Sequence, residues 1–238
     1  MRFLLLASDY DGTLACEGHV AQKTIAALER LLGSGRKLVL VTGRHMPDLY
    51  TVFSRFDLFD RIVAENGGLL YRPTTREEKL LCEPHHQGFL ALLRERNIPF
   101  VAGRTVVASW RPHEAAVFEA IRDLDLDLQI TFNESSIMVL PSGVNKATGL
   151  AAALQELGIS LHNVVAVGDA ENDHPLLRAA ECGVAVANAL PALREHADFV
   201  LNAAYGDGVI DLIDQLVRDD LARLVPDIKQ PAENQAGR

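Results

Sequence analysis

Two apolar runs in this sequence end in pairs of acidic residues, and their spacing suggests chemistry. Asp9 and Asp11 follow the run LLLAS directly, and Asp169 and Asp173 follow VVAVG. In an extended segment, residues two apart project from the same side, so the first two carboxylates point together. Turn formation or helix capping explains any one of these residues, but it explains the set of four poorly.

A cluster of carboxylates needs a cation, because like charges at close range must otherwise protonate. Hard oxygen ligands favour Mg²⁺, which often shares its coordination shell with a substrate phosphate. Asp9, Asp11, Asp169 and Asp173 are therefore the candidate metal site.

Groups suited to holding a phosphate occur elsewhere in the chain. Thr42 and Gly43 follow the run KLVLV and offer a hydroxyl and an unhindered amide. Lys146, in GVNKATG, lies at the start of a predicted helix and supplies positive charge. A metal, a lysine, a hydroxyl and an amide together describe a phosphoryl site.

The elements that must position these groups alternate between strands and helices. The apolar runs RFLLLAS, KLVLV, RIVA, NVVAV, CGVAVAN and DFVLN predict buried strands separated by helical patterns. Such a pattern indicates an α/β fold with a Rossmann-like parallel sheet covered by helices on both faces. Ligands of these sheets bind beyond the carboxyl ends of the strands. One helix is predicted near 48–56 and a closing helix over 207–225.

The middle of the chain has a different order, helix–strand–strand, which occurs twice. It predicts an α+β cap domain with an antiparallel sheet over residues 83–142, with Trp110 in its interior. The core domain is then formed by 1–82 and 143–225, with loops near 72–84 and 141–145. Residues 226–238 are polar and proline-bearing and are predicted to be disordered.

Composition limits the partners. The net charge of −9 and a pI near 5.3 argue against nucleic acid and anionic membranes as partners. No apolar run reaches the length of a membrane span. Three unpatterned cysteines, Cys16, Cys82 and Cys182, suit a reducing compartment, so a cytoplasmic location is expected. The sequence carries no signal for an oligomeric state.

Four segments in order resemble the motifs of the haloacid dehalogenase (HAD) superfamily of phosphatases. They are DYDGT, VTGR, the NK before a helix, and GDAEND, and the resemblance covers residues 3 to about 213. AENGG at 64–68, together with a cap between the second and third motifs, resembles the Cof-type branch with a type-IIB cap. That branch includes sugar-phosphate phosphatases and phosphoglycolate phosphatases.

The resemblance implies a role for each matching residue. Asp9 is the implied nucleophile that forms an aspartyl-phosphate, and Asp11 the implied general acid and base. Mg²⁺ is implied to bind the Asp9 carboxylate, the Asp11 backbone carbonyl and Asp169. Asp173 either supports the metal through water or orients Lys146.

The remaining implied contacts hold the substrate. Thr42, the Gly43 amide and Lys146 are implied to bind phosphate oxygens. Asn172 is implied to contact the phosphate or the metal shell, with a cap on the next helix as the alternative. Arg44 and Asn66 are candidates for lining the substrate pocket. So are Arg104 and Asn133, because they lie near the predicted hairpin turns of the cap.

These observations predict a Mg²⁺-dependent phosphatase of a small phosphorylated metabolite, such as a sugar phosphate or a phosphoglycolate-like ester. A phosphomutase or phosphotransferase on the same fold is the first alternative. A receiver-like signalling module is the second, since receivers also use carboxylates, Mg²⁺, a threonine and a lysine on a parallel sheet. The large insertion argues against the second alternative.

Overall fold

An eight-stranded sheet carries most of the apolar runs in a computed structural model, which describes residues 1–133 and 135–222. In chain order the strands of the protein are β1 (Leu5–Ser8), β2 (Lys37–Val41), β3 (Arg61–Ala64), β4 (Leu69–Arg72), β5 (Glu77–Leu80), β6 (Val101–Ala102), β7 (Val107–Trp110), β8 (Leu128–Asn133), β9 (Ser136–Pro141), β10 (Val164–Gly168), β11 (Cys182–Ala185) and β12 (Phe199–Val200). The order across the large sheet is β12-β11-β10-β1-β2-β3-β4-β5, and the strands from β12 to β3 are parallel.

Helices cover this sheet. The helices of the protein are α1 (Gln22–Gly33), α2 (Met46–Val52), α3 (Gln87–Glu95), α4 (Glu114–Asp123), α5 (Lys146–Leu157), α6 (His174–Ala179), α7 (Pro191–His196) and α8 (Tyr205–Asp219). Helix α1 packs against α8, and α5 packs against α6. Every residue of β1 and β10 is buried, as expected for strands enclosed on both faces. The predicted α/β fold is confirmed.

The register of the central strands decides where the site lies. Ser8, the last residue of β1, stands opposite Val167 of β10 and Leu40 of β2. The three strands therefore end at the same edge of the sheet, and the residues that follow them are neighbours in space.

One hairpin was missed by the sequence analysis. Strands β4 and β5 pair antiparallel and extend the sheet beyond β3. Strand β5 lies within the segment near 72–84 that was predicted to be a loop. Strand β5 reads EEKL and is mostly exposed, so it has no apolar run to reveal it. Ion pairs from Arg72 and Lys79 to Glu156 of α5 attach the hairpin to the rest of the sheet.

A second, four-stranded antiparallel sheet has the order β6-β7-β9-β8 and packs against α3 and α4. Phe89 and Leu93 of α3 and Val117 of α4 meet Ile137 and Val139 of β9 in a separate apolar cluster. The predicted order, helix–strand–strand repeated twice, is confirmed. We call this part the small unit; the domain bounds 83–142 stay a prediction.

Two helix predictions were too long. Helix α2 ends at Val52, and a separate 3₁₀ turn covers Phe56–Leu58. Helix α8 ends at Asp219, because Asp220 and Leu221 both have positive φ. The end of the predicted closing helix and the predicted disordered tail, 226–238, lie outside the described residues. Across the described ranges, no helix is long and apolar enough to cross a bilayer.

Candidate active site

A buried ion cluster lies at the shared edge of β1, β2 and β10. The Lys146 ammonium donates to Asp9 Oδ1 at 2.5 Å and to Asp173 Oδ1 at 2.6 Å. All three residues are at most 4% exposed. The Asn145 side chain accepts from the amides of Ala147 and Thr148, and this cap begins α5 at Lys146. The sequence thus places the lysine on the first turn of a helix that faces the strand ends.

Three carboxylates lie close enough to share one cation. Oxygens of Asp9, Asp169 and Asp173 are all within 4.8 Å of one another, and all three residues are buried. Together with Lys146, three carboxylates and one ammonium carry a formal charge of −2. An all-oxygen donor set of this charge fits a hard divalent cation such as Mg²⁺.

Burial dominates the electrostatics of this cluster. It raises the pKa of Asp9 well above its ordinary value; Lys146 opposes this shift, and the charges of Asp173 and Asp169 add to it. Burial also lowers the pKa of Lys146, but Asp173 and Asp9 outweigh that effect and the net pKa is raised. Lys146 therefore stays cationic, and a further positive charge would stabilise the ionised form of Asp9.

The position of Asp169 depends on a glycine. Gly12 has φ +75°, and a Cβ atom built on it would lie 2.1 Å from Asp169 Oδ2. Thr13 Oγ1 donates to Asp169 Oδ1 at 2.7 Å. The turn after β1 therefore both makes room for this carboxylate and holds it in place.

Asp173 has hydrogen bonds on both of its oxygens. Its Oδ2 accepts from the backbone amides of Asp169 and Ala170, each at 3.1 Å, while Oδ1 accepts from Lys146. The side chain therefore fixes the loop after β10 and orients the ammonium at the same time.

Asp11 lines the same cavity as the nucleophile candidate and is held by Arg44. Arg44 Nε donates to Asp11 Oδ2 at 2.6 Å and Arg44 Nη2 to Asp11 Oδ1 at 2.7 Å. Arg44 Nη1 donates to Asp48 Oδ2 at 2.6 Å. Arg44 is thus held by two carboxylates at the mouth of the site.

Thr42, Asn66 and Asn172 form a buried polar group behind this mouth. Thr42 Oγ1 accepts from the Arg44 amide at 3.1 Å, so the hydroxyl proton can be donated to a ligand. Asn172 Nδ2 donates to Asn66 Oδ1 at 3.1 Å. Asn66 Nδ2 and Asn172 Oδ1 are buried and have no partner among the described residues.

A cavity of about 620 Å³ opens between this edge and the small unit. On the sheet side its walls include Asp9, Asp11, Gly43, Arg44, Asp48 and Asp169. On the other side they include Val106, Ala108, Trp110, Asn133, Ser136 and Met138. The candidate nucleophile therefore faces a space large enough for a small organic ligand.

Comparison with known proteins agrees with this geometry. The family model for haloacid dehalogenase-like hydrolases matches residues 6–107 and 111–213. The chain belongs to this family.

Curated relatives of the HAD-like hydrolase span nearly its whole length. A phosphoglycolate phosphatase of Methanothermobacter thermautotrophicus is 32% identical over 87% of the chain and 96% of the relative. A 5-amino-6-(5-phospho-D-ribitylamino)uracil phosphatase of Bacillus subtilis is 29% identical over 88% of the chain and 94% of the relative. The predicted enzyme class, a phosphoric monoester hydrolase, is confirmed.

A solved structure supports the fold. A sugar phosphatase of HAD subclass IIB superposes with a TM-score of 0.72 at 21% identity, covering 89% of the chain and 98% of that protein. The resemblance to the Cof-type, IIB-capped branch is confirmed.

The structure places most of the predicted site residues of the hydrolase together, but not Arg104. Its guanidinium binds Glu78 at 2.8 Å, its side chain is 56% exposed, and Arg104 is not among the described residues that line the cavity. Asn133 and Arg44 do line the cavity. Trp110, expected in the interior of the small unit, instead lies 39% exposed on the cavity wall.

Sequence reasoning missed several other residues of the site. Asp48 binds Arg44, and Asn188 Nδ2 donates to the Gly12 carbonyl at 2.8 Å. Ala108 and Trp110 line the cavity, whereas Val107 packs into the small unit and Ser109, between the two lining residues, is buried. That alternation along β7 is a signal that could have placed Trp110 on the outward face. Glu65, also missed, is almost fully buried beneath the small unit.

Proposed function

We propose that this hydrolase is a Mg²⁺-dependent phosphatase of a small sugar phosphate or phosphoglycolate-like ester, with Asp9 as its nucleophile. The main support for this proposal is the buried trio Asp9, Asp169 and Asp173, together with Lys146, at the cavity floor. Phosphoglycolate and the phosphoribitylaminouracil ester are substrates named for the relatives, and both are small phosphomonoesters.

We assign the metal to Asp9, Asp169 and the backbone carbonyl of Asp11, with Asp173 nearby. The donor set fits because it consists of oxygen atoms and carries a charge that one divalent cation neutralises. When bound, the cation offsets charge on the phosphate and on the carboxylates. Asp173 has its oxygens engaged by Lys146 and two backbone amides, which favours the orienting role among its two predicted roles.

In the first step, an Asp9 carboxylate oxygen attacks phosphorus in line with the leaving oxygen. A new bond forms between Asp9 and phosphorus while the ester bond to the leaving oxygen breaks. Asp11 donates a proton to that oxygen, so the alcohol leaves in neutral form. The product of this step is an aspartyl-phosphate.

In the second step, Asp11 takes a proton from a water molecule, which attacks the same phosphorus. The bond between phosphorus and Asp9 breaks, and inorganic phosphate leaves with both aspartates restored. Lys146 stays bound to Asp9 Oδ1 and limits the repulsion between the carboxylate and the phosphate dianion.

The phosphate oxygens are held by groups around the nucleophile. The Thr42 hydroxyl has a proton to donate, and the Gly43 amide can approach closely because the residue has no side chain. Lys146 contributes charge. Asn172 carries a buried oxygen with no partner within residues 1–133 and 135–222, so it could meet a protonated phosphate oxygen or the hydration shell of the metal.

We assign the role of cap to the small unit, over the predicted residues 83–142. Its side chains form the second wall of the cavity, opposite Asp9 and Asp169. Such a wall would contact the leaving group and exclude water from the reacting phosphate.

The test is phosphate release from a panel of phosphorylated metabolites, with Mg²⁺ and with a chelator. We expect release that requires the metal and falls at least 10³-fold in Asp9→Asn. Full activity of Asp9→Asn in folded protein would overturn the assignment. Adding a bisphosphorylated activator and following isomerised sugar phosphate distinguishes a phosphomutase from a phosphatase.

A further inference from the structure

Glu65 is a buried acid that the reaction scheme does not use. It follows β3 and is 1% exposed. Its carboxylate accepts from the amides of Arg104 at 2.9 Å, Thr105 at 2.7 Å and Val106 at 3.1 Å. It also accepts from Thr105 Oγ1 at 2.8 Å. A buried charge needs this many donors, because unpaired burial is costly.

All of these donors belong to one turn of the small unit. Residues 103–106, which we call the hairpin tip, join β6 to β7. A Cβ atom on Gly103 would lie 2.6 Å from the Glu65 carboxyl carbon, and one on Gly68 would lie 2.1 Å from Thr105 Oγ1. The tip therefore lies in direct contact with the turn after β3, and glycines on both sides permit that approach.

The hairpin tip is also part of the cavity wall. Gly103 and Val106 line the cavity opposite Asp9. The position of the tip relative to the large sheet therefore sets the distance between the reacting carboxylate and the wall that meets a leaving group.

The backbone around Glu65 is tied to the phosphate-binding loop. The Glu65 amide donates to the Arg44 carbonyl at 2.9 Å, and the Asn66 amide donates to the Thr42 carbonyl at 2.9 Å. Glu65 thus contacts the loop after β2 through its backbone and the hairpin tip through its side chain.

The local conformation is an uncommon one. Glu65 and Asn66 both have φ +54°, in the left-handed region that non-glycine residues rarely occupy. Two such residues in succession persist only where the surroundings hold them. Here the bonds to Arg44, Thr42 and the hairpin tip supply that support.

We propose that Glu65 is a positioning residue that fixes the hairpin tip at a set distance from the phosphate-binding loop. It does so by presenting one carboxylate to a row of backbone amides. The consequence for catalysis rests on the proposed phosphatase function: Glu65 governs binding of leaving groups that reach the wall, and not the chemistry at phosphorus.

Glu65→Gln is the central variant, because its amide group would face N–H donors and cannot accept from all of them. Glu65→Asp keeps the charge and serves as the conservative variant. Thr105→Val removes only the hydroxyl donor and is a milder change should Glu65→Gln fold poorly. Glu78→Gln is the matched control, since Glu78 binds the side chain of Arg104 at the surface.

The first readout is hydrogen exchange of the hairpin-tip amides in the metal-free enzyme, which needs no activity. We expect faster exchange at Arg104, Thr105 and Val106 in Glu65→Gln, with a smaller effect in Thr105→Val and none in Glu78→Gln. Unchanged exchange at these amides in Glu65→Gln would overturn the proposal.

The second readout compares two substrates, a hexose phosphate and acetyl phosphate. The acetate leaving group of acetyl phosphate is too small to reach the wall. We expect KM for the hexose phosphate to rise about 10- to 100-fold in Glu65→Gln and to recover partly in Glu65→Asp. For acetyl phosphate, kcat/KM should change less than about threefold.

An equal loss of kcat/KM on both substrates in Glu65→Gln would indicate a general structural role and overturn the positioning role. If the wild-type enzyme released no phosphate from acetyl phosphate or from any member of the metabolite panel, the proposed function would fail and the catalytic part of the inference with it. The amide exchange would still decide whether Glu65 holds the tip.

Discussion

Arg44 binds the Asp11 carboxylate through two parallel hydrogen bonds, Nε to Oδ2 at 2.6 Å and Nη2 to Oδ1 at 2.7 Å. A planar guanidinium in this arrangement fixes both the direction and the plane of the carboxylate. The bonds from Asp11 raise the pKa of Arg44 despite its partial burial. Arg44 is therefore always charged, and it determines where the proposed general acid points.

Arg44→Lys should lower kcat about 10- to 100-fold, because a lysine keeps the charge but cannot hold both carboxylate oxygens. The measurement is steady-state phosphate release with Mg²⁺ across the pH range. Arg55→Lys is the control, since Arg55 makes the same two-bond contact with Asp57 on the exposed surface. Equal kcat values for Arg44→Lys and the wild type would show that Asp11 needs no such partner.

Gly12→Ala should reduce activity at least about 100-fold and weaken Mg²⁺ binding. The new methyl group would overlap Asp169 Oδ2, and φ +75° is unfavourable for alanine. Isothermal titration with Mg²⁺ and phosphate release would both report the effect. Gly33→Ala is the matched control, because no atom of the described residues lies within 4 Å of a Cβ built on Gly33, which ends α1. A normal Mg²⁺ affinity in Gly12→Ala would contradict the assigned metal site.

The ion cluster could be predicted from the sequence because the ends of the buried strands can be recognised from where the apolar runs stop. The runs before Asp9, Thr42 and Asp169 are apolar and continuous, so the sheet edge and its polar residues follow from the parallel topology. The resemblance then supplied the role of Lys146, whose distance in the chain from Asp9 gives no local signal.

The rest of the site depends on contacts that only tertiary packing creates. Glu65 reads as one acid in a turn, and nothing nearby in the sequence names the hairpin tip as its partner. Arg104 was expected at the cavity because it lies near a predicted turn, but its side chain binds Glu78 of the unpredicted strand β5. A charged edge strand carries no hydrophobic periodicity, so its contacts could not be anticipated.

Lys146→Met should destabilise the metal-free protein by about 3 to 5 kcal/mol, because Asp9 and Asp173 would be left as buried charges without their cation. The raised pKa of Asp9 gives the sign of the pH dependence. A carboxyl group with a raised folded-state pKa destabilises the folded protein less once it is protonated. The deficit, the free energy of unfolding that Lys146→Met loses relative to the wild type, should therefore be smaller at pH 5 than at pH 8. Urea denaturation at the two pH values measures it.

Lys23→Met is the control for that experiment. Lys23 binds Asp207 at the surface, where both side chains are more than half exposed, so its loss should cost less than about 1 kcal/mol. A deficit in Lys146→Met that grows as the pH falls would contradict the electrostatic account of the cluster.

Glu156→Gln should destabilise the protein by about 1 to 2 kcal/mol at pH 7, a value reduced for solvent screening. Hydrogen bonds from Arg72 and Arg61 outweigh partial burial and lower the pKa of Glu156 from 4.5 to about 2. The stability from this carboxylate is therefore fully present above about pH 4.5 and is lost as the pH falls towards 2. Denaturation curves of the wild type and the variant should converge over that interval. Glu195→Gln, at an exposed position on α7, should match the wild type throughout. A difference between wild type and Glu156→Gln that stays constant from pH 7 to pH 3 would show that lost packing, and not charge, causes the effect.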